Sequence, residues 1–210
     1  SGTANSTTPW ASSDASVATI NSSGVVTGVT AGTTVITYLD NNGCSVTETL
    51  TVLANPTVAV SADDSQVCSG TTVVLTASGA TTYTWADNST GATRNVTPTT
   101  TTTTTTTYTV TGTDADGCSS TATVTVTVDA LPAITGTLSV CIGETTDLDA
   151  NGVPATSSPW TSSNTSVATV NSNGVVTGVA AGIVEITYTN TNGCSITENV
   201  SVNALPSVSA

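Results

Sequence analysis

Five cysteines, Cys44, Cys68, Cys118, Cys141 and Cys194, are the residues of this sequence whose type and spacing promise covalent chemistry. Zinc fits them poorly: no C-x-x-C occurs, and there is no histidine to complete a tetrahedral set. In a small β-rich chain they read as disulfides, which persist in oxidising compartments. Separations of 50 residues (Cys68 to Cys118) and 53 residues (Cys141 to Cys194) predict one bond inside each of two domains. Each would close a loop worth roughly 4 kcal/mol by the chain-entropy argument. By the same 53-residue spacing, the partner of Cys44 lies outside the chain, upstream of Ser1 or in another copy.

The inventory for catalysis is thin. There is no His for general base work and no Lys for a Schiff base, and Arg94 is the single basic group for an oxyanion or phosphate. Serines are abundant, but nothing activates them. Asp63 with Asp64, and Asp147 with Asp149, are the carboxylate pairs a glycosidase would use. Both pairs sit near predicted domain ends, and no enzyme is expected. Asp114-Ala115-Asp116-Gly117 opens like a calcium loop but lacks the remaining ligands and terminal Glu, and reads as a hairpin turn. Asp63 and Asp64, beside a domain joint, are the other candidate calcium ligands, although six or more oxygens must converge on that ion. No other metal and no cofactor is expected.

Trp10, Trp85 and Trp160 could stack on sugars if exposed. Their even spacing of 75 residues predicts instead one buried core anchor per structural unit. Arg94 reads as a surface charge. The tract Thr99 to Thr107 has the β propensity of a strand or edge loop and could carry O-glycans. Asn-x-Ser/Thr sequons begin at Asn5, Asn21, Asn88, Asn95, Asn164 and Asn199. In a chain so rich in these residues the sequons carry no weight.

The elements that must position these residues are strands. Thr and Val dominate, their branched Cβ suits a pleated backbone, and no window has the i, i+3, i+4, i+7 apolar period of a helix. The fold class is all-β. Against 14 acidic residues stands one arginine, giving a formal charge of −13. Such a surface cannot neutralise phosphates, so nucleic acid is excluded as a partner, and docking on an anionic membrane is disfavoured. No apolar run of about 18 residues could enter a bilayer, so no direct membrane insertion is expected. No signal segment begins at Ser1, so an export signal would lie outside this stretch. Without lysine no Lys–Asn isopeptide bond can form, and trypsin-like proteases find almost no site.

The repeat organises the rest. SSDASVATINSSGVVTGVTAG (12–32) recurs as SSNTSVATVNSNGVVTGVAAG (162–182) at an offset of 150 residues. The middle differs, running from YTWADNSTG (83–91) through the threonine tract to TGTDADGCSSTATVTVTV (111–128). Two domain types therefore alternate as A, B, A. Joints fall at Ala54-Asn55-Pro56, Ala130-Leu131-Pro132 and Ala204-Leu205-Pro206, where proline ends a ladder and no Gly/Ser spacer follows. The expected division is 1–55, an A-type domain lacking its first strands; 56–131, B-type; 132–205, A-type; and 206–210, the start of another B-type unit. Stiff joints imply domains set end to end as an extended rod.

The A-type run 162–182 and its counterpart from Ser12 resemble the bacterial Ig-like group 2 domains. CSGTTVVLTASGATTYTW (68–85) and YTVTGTDADGCSSTATVTV (108–126) look like the Ig-like or PKD-like repeats of very large Bacteroidota surface proteins, gliding-motility adhesins among them. The resemblance implies immunoglobulin-like β-sandwiches, export to the cell surface and a stalk or filament role. The partners would be neighbouring repeats of the same long chain, with self-association into filaments. The alternative is a carbohydrate- or ligand-binding Ig-like module of a secreted protein. In antibody-type domains the disulfide crosses the core; here Cys118 and Cys194 follow the final hairpin turn, so a bond would staple one end of each sandwich.

Overall fold

Alternating Val and Thr suit a pleated strand, and strands are what they form. The structure, a computed structural model that describes residues 9–206, contains twenty strands and no helix among those residues. The chain divides into two compact units. One takes the chain up to Ser61 with Thr76–Thr93 and Tyr108–Thr123; the other takes Ala62–Leu75, Arg94–Thr107 and the chain from Val124 onward. The division runs through the middle segment.

The first segment holds β1 (Trp10–Ser12), β2 (Ala18–Ile20), β3 (Val26–Gly28), β4 (Gly32–Leu39) and β5 (Ser45–Val52). β1, β4 and β5 form one antiparallel sheet, and β2 pairs with β3 across a tight reversal. That reversal is set by Asn21, whose Oδ1 accepts the amides of Ser23 and Val25 at 3.0 Å, and by Gly24 at φ +81°.

The middle segment holds β6 (Ala59–Ala62), β7 (Gln66–Cys68), β8 (Val73–Ser78), β9 (Thr82–Trp85), β10 (Thr93–Val96), β11 (Thr104–Thr113) and β12 (Ser119–Asp129). Its sheets run β10-β8-β6 and β7-β12-β11-β9. Inward positions alternate along β8, where Val73, Leu75 and Ala77 are buried. Trp85 is 2% exposed, and its indole N–H donates to Gly91 O at 3.0 Å.

The last segment repeats the first and adds three strands: β13 (Ile134–Gly136), β14 (Ser139–Cys141) and β15 (Thr145–Ala150). β16 (Trp160–Ser162), β17 (Ala168–Val170), β18 (Val175–Gly178), β19 (Gly182–Thr189) and β20 (Ser195–Asn203) follow. Sheets β13-β15-β18-β17 and β14-β20-β19-β16 enclose a core of Val140, Leu148, Trp160, Val176, Ile186 and Val200, among others. Every buried side-chain nitrogen and oxygen among the described residues has a hydrogen-bond partner.

Candidate functional site: a disulfide-linked joint

Two local motifs recur in every segment where their residues are described. The first is a hairpin ending in cysteine. At Asn190-Thr191-Asn192-Gly193-Cys194 the Asn190 Oδ1 accepts the amides of Asn192 and Cys194, both at 3.0 Å, and Gly193 takes φ +80°. Asp114 does the same for Asp116 (3.0 Å) and Cys118 (2.9 Å), and Asp40 for Asn42 (2.9 Å) and Cys44 (2.8 Å). An acceptor side chain two and four residues before the amides, with a positive-φ glycine, fixes each cysteine at the mouth of its last strand.

The second motif places a cysteine at the opposite pole. β7 pairs parallel with the end of β12, setting Cys68 beside Asp129, and β14 pairs parallel with the end of β20, setting Cys141 beside Asn203. Both cysteines lead into the same turn. Thr71 N donates to Cys68 O (3.0 Å) and Glu144 N to Cys141 O (3.1 Å), with Gly70 at φ +86° and Gly143 at φ +83°.

These poles decide the disulfide. Cys194 precedes β20 and Cys141 lies beside its last residue, so a nine-residue strand, about 30 Å long, separates them. Cys118 and Cys68 are likewise at the two ends of eleven-residue β12. A disulfide requires Cα atoms within about 7 Å. The expected pairs 68–118 and 141–194 are therefore corrected. The bond that forms is Cys68–Cys194, with Cα atoms 5.6 Å apart and a sequence separation of 126 residues. Cys44 and Cys141 are exposed thiols and Cys118 is a half-buried one.

Around the bond the second compact unit builds a polar seam. Asp129 is only 2% exposed, a cost its carboxylate meets by accepting from Gln66 Nε2 at 2.7 Å and Thr103 Oγ1 at 3.1 Å. Thr100 N donates to Ser69 Oγ at 2.8 Å, so the threonine tract wraps the turn that carries Cys68. In the linker Pro132 is buried, while Ala133 and Asn151 exchange bonds: Ala133 N to Asn151 Oδ1 at 2.6 Å, Asn151 N to Ala133 O at 3.2 Å. A cleft of about 330 Å³ lies between Thr103, Leu131 and Pro132 on one side and Val153, Asn190 and Thr191 on the other. Asp129 escaped the sequence reading. Its one signal was an acidic residue closing a Val/Thr alternation.

The other candidates are dispersed. Asp63 Oδ1 accepts Val74 N at 2.9 Å, Asp64 Oδ1 accepts Gln66 N at 3.0 Å, and Asp114 and Asp116 belong to the hairpin above. No three His, Cys, Asp or Glu side chains converge among the described residues. Asp147 and Asp149 are both exposed, flanking buried Leu148 on β15. Trp160 is 8% exposed and lies against Tyr188 with ring centroids 4.8 Å apart, whereas Trp10, at 4.7 Å from Tyr38, is half-buried. Burial pushes the Tyr188 phenol above the usual tyrosine range; its hydroxyl donates to Gly152 O at 3.2 Å. The sequons Asn21 and Asn164 are turn acceptors, for Ser23 and Ser166; Asn5 lies outside the described residues.

Two four-stranded sheets facing one another, one of them carrying a short strand paired parallel at one pole, have the form of the immunoglobulin-like β-sandwich. The chain belongs to the bacterial Ig-like domain (group 2) family, which matches residues 1–52 and 132–200. The intervening residues 54–132 match the Ig-like domain CHU_C associated family. Among solved structures, the chain is similar to the C-terminal 282-residue fragment of intimin in complex with the translocated intimin receptor intimin-binding domain. Identity is 21% and the TM-score 0.45, over 71% of this chain and 65% of that one. Invasin, a bacterial integrin-binding protein, follows at 14% identity and TM-score 0.32, over 85% and 66%. Domains 4 and 5 of the S-layer protein SbsC share 19% identity at TM-score 0.26, over 97% and 73%. The chain thus spans about two-thirds of the intimin fragment's length. No curated protein matches the sequence.

Proposed function

We propose that the chain is a non-enzymatic spacer segment of a long extracellular bacterial adhesin or surface filament, with Ig-like units 1–55, 56–131 and 132–205 in series. The observation that carries this reading is the Cys68–Cys194 bond. It ties the segment of one Ig-like family to the segment of the next instead of closing either on itself. A fold-stabilising bond would lie within a sandwich. A bond across a joint resists separation of the units, which is what a stalk under tension requires. Composition supports the same role. A charge of −13 with one basic residue keeps such a chain soluble and almost free of trypsin-like cleavage sites. A disulfide also fits the oxidising space outside a cell.

Small-angle scattering of the whole chain tests this. Units in series give a radius of gyration well above the ~17 Å of a 210-residue globule. A value near that of a globule would sink the spacer reading.

A further inference from the structure

The same joint is present in halves elsewhere in the chain. Cys141 has the setting of Cys68: a three-residue strand ending in Val-Cys, paired parallel to the end of the last strand, then a turn through a positive-φ glycine. Cys118 has the setting of Cys194: the fifth residue of an Asx-initiated hairpin, held by the same two amide bonds. Cys68 and Cys194 are bonded to one another, while Cys141 and Cys118 are thiols. Neither thiol can reach the cysteine of its own domain, because a whole strand lies between the two poles.

We propose that Cys141 and Cys118 are the two halves of a second joint. In it the pole cysteine of a group 2 unit bonds the hairpin cysteine of a middle-type unit docked beyond its Ala204-Leu205-Pro206 linker. The partner is specified by chemistry: an Ig-like unit presenting the Asp-x-Asp-Gly-Cys hairpin seen at Asp114 to Cys118. The alternation of the two domain types along the chain is what selects it over a second group 2 unit. Bond formation is an exchange with a small-molecule disulfide such as oxidised glutathione. One sulfur–sulfur bond breaks and one forms in the protein, and the two thiol protons and two electrons leave with the oxidant as two thiols.

The rule changes what an array of such units can do. Cys44 and Cys68 are 24 residues apart, and Cys118 and Cys141 are 23 apart. With every joint bonded from pole to hairpin, the load passes through only those short stretches in each 150-residue period. A fully unfolded period would then reach about 80 Å rather than about 500 Å. The two series of bonds interleave, since Cys141 lies between Cys68 and Cys194, so one series holds if the other breaks. A spacer with non-covalent joints would still be a spacer, so this bonding rule and the spacer reading fail separately.

The experiment extends the full chain in register, following Ala210 with a second copy of residues 61–210 whose own counterpart of Cys141 is replaced by Ser, and oxidises it in a glutathione buffer. Peptide mapping without reduction, after alkylation of free thiols, then assigns each bond. In the unextended chain Cys141 is alkylated stoichiometrically. In the extended chain that label is lost, and Cys141 is recovered bonded to the appended counterpart of Cys118. Replacing that counterpart by Ser returns the label to Cys141. Cys141 found free in the extended chain, bonded to Cys194 or Cys118 of its own copy, or bonded between chains would overturn the proposal.

Discussion

Residues 10–52 and 160–202 are two copies of one design that meet different surroundings, and the difference isolates what the extra strands do. Their registers coincide: Trp10 pairs with Tyr38 as Trp160 does with Tyr188, and Gly32–Leu39 pairs with β5 as Gly182–Thr189 does with β20. Only the second copy has β13, β14 and β15 among the described residues. There Leu148 is 1% exposed within the core and Val176 is fully buried. In the first copy Val26, Val25 and Val46 are 38%, 60% and 66% exposed, and a groove of about 300 Å³ opens between Trp10, Ile36, Tyr38 and Val46. An Ig-like sheet therefore acquires its register from its own hairpins. Its core is completed only by strands from a different part of the domain.

The largest test of that contrast is tryptophan removal. Trp160→Ala should cost about 3–5 kcal/mol in urea unfolding of its segment, while Trp10→Ala should cost roughly half as much. Equal losses would mean that the first copy is enclosed in solution as the second is. Next come the glycines of the matched turns, Gly24 at φ +81° and Gly174 at φ +86°. Alanine at either pays about 1–2 kcal/mol for a left-handed backbone. At Gly174 the new Cβ would also sit 2.1 Å from Leu148 O, whereas at Gly24 it meets only the edge of the Trp10 ring at 3.0 Å. Thermal melts should show G174A losing a further ~1–3 kcal/mol over G24A. A tie would remove β15 from the account.

The smallest effect concerns the matched turns at Asp14 and Asn164. Asp14 Oδ1 accepts Ser16 Oγ at 2.6 Å and Ser16 N at 2.9 Å, and these bonds hold its carboxyl below the usual aspartate value. A depressed folded pKa contributes stability above the unfolded pKa that is lost as pH falls through the folded one. Asn164 makes the same bonds to Ser166 and cannot titrate. Ser16→Ala should raise the Asp14 titration midpoint in carboxyl NMR, while the second copy stays unchanged by acid at this turn. An unmoved midpoint would show that the Ser16 hydroxyl plays no part in the depression.

Much of the fold was legible before any coordinates. The β class, the 150-residue recurrence and the Asx-Gly hairpins follow from local rules: branched side chains favour the pleat, and a positive-φ glycine after an acceptor side chain closes a turn. Pairing of the cysteines was not legible. Spacings of 50 and 53 residues look like intradomain loops only if both cysteines of a domain lie at one end. β7 and β14 run parallel to the final strand, and that single topological fact sends the two cysteines of a domain to opposite poles. The burial of Asp129 was hidden for the same reason. Its donors, Gln66 and Thr103, are 63 and 26 residues away along the chain.

By itself the sequence determined the strands, their turns, the two alternating domain types and the net charge of −13. Those properties depend on residues close along the chain or on summed charge. Only the tertiary structure decided that the covalent bond joins one Ig-like segment to the next. Which cysteines meet depends on the direction in which distant strands pair, and spacing along a chain carries no information about direction.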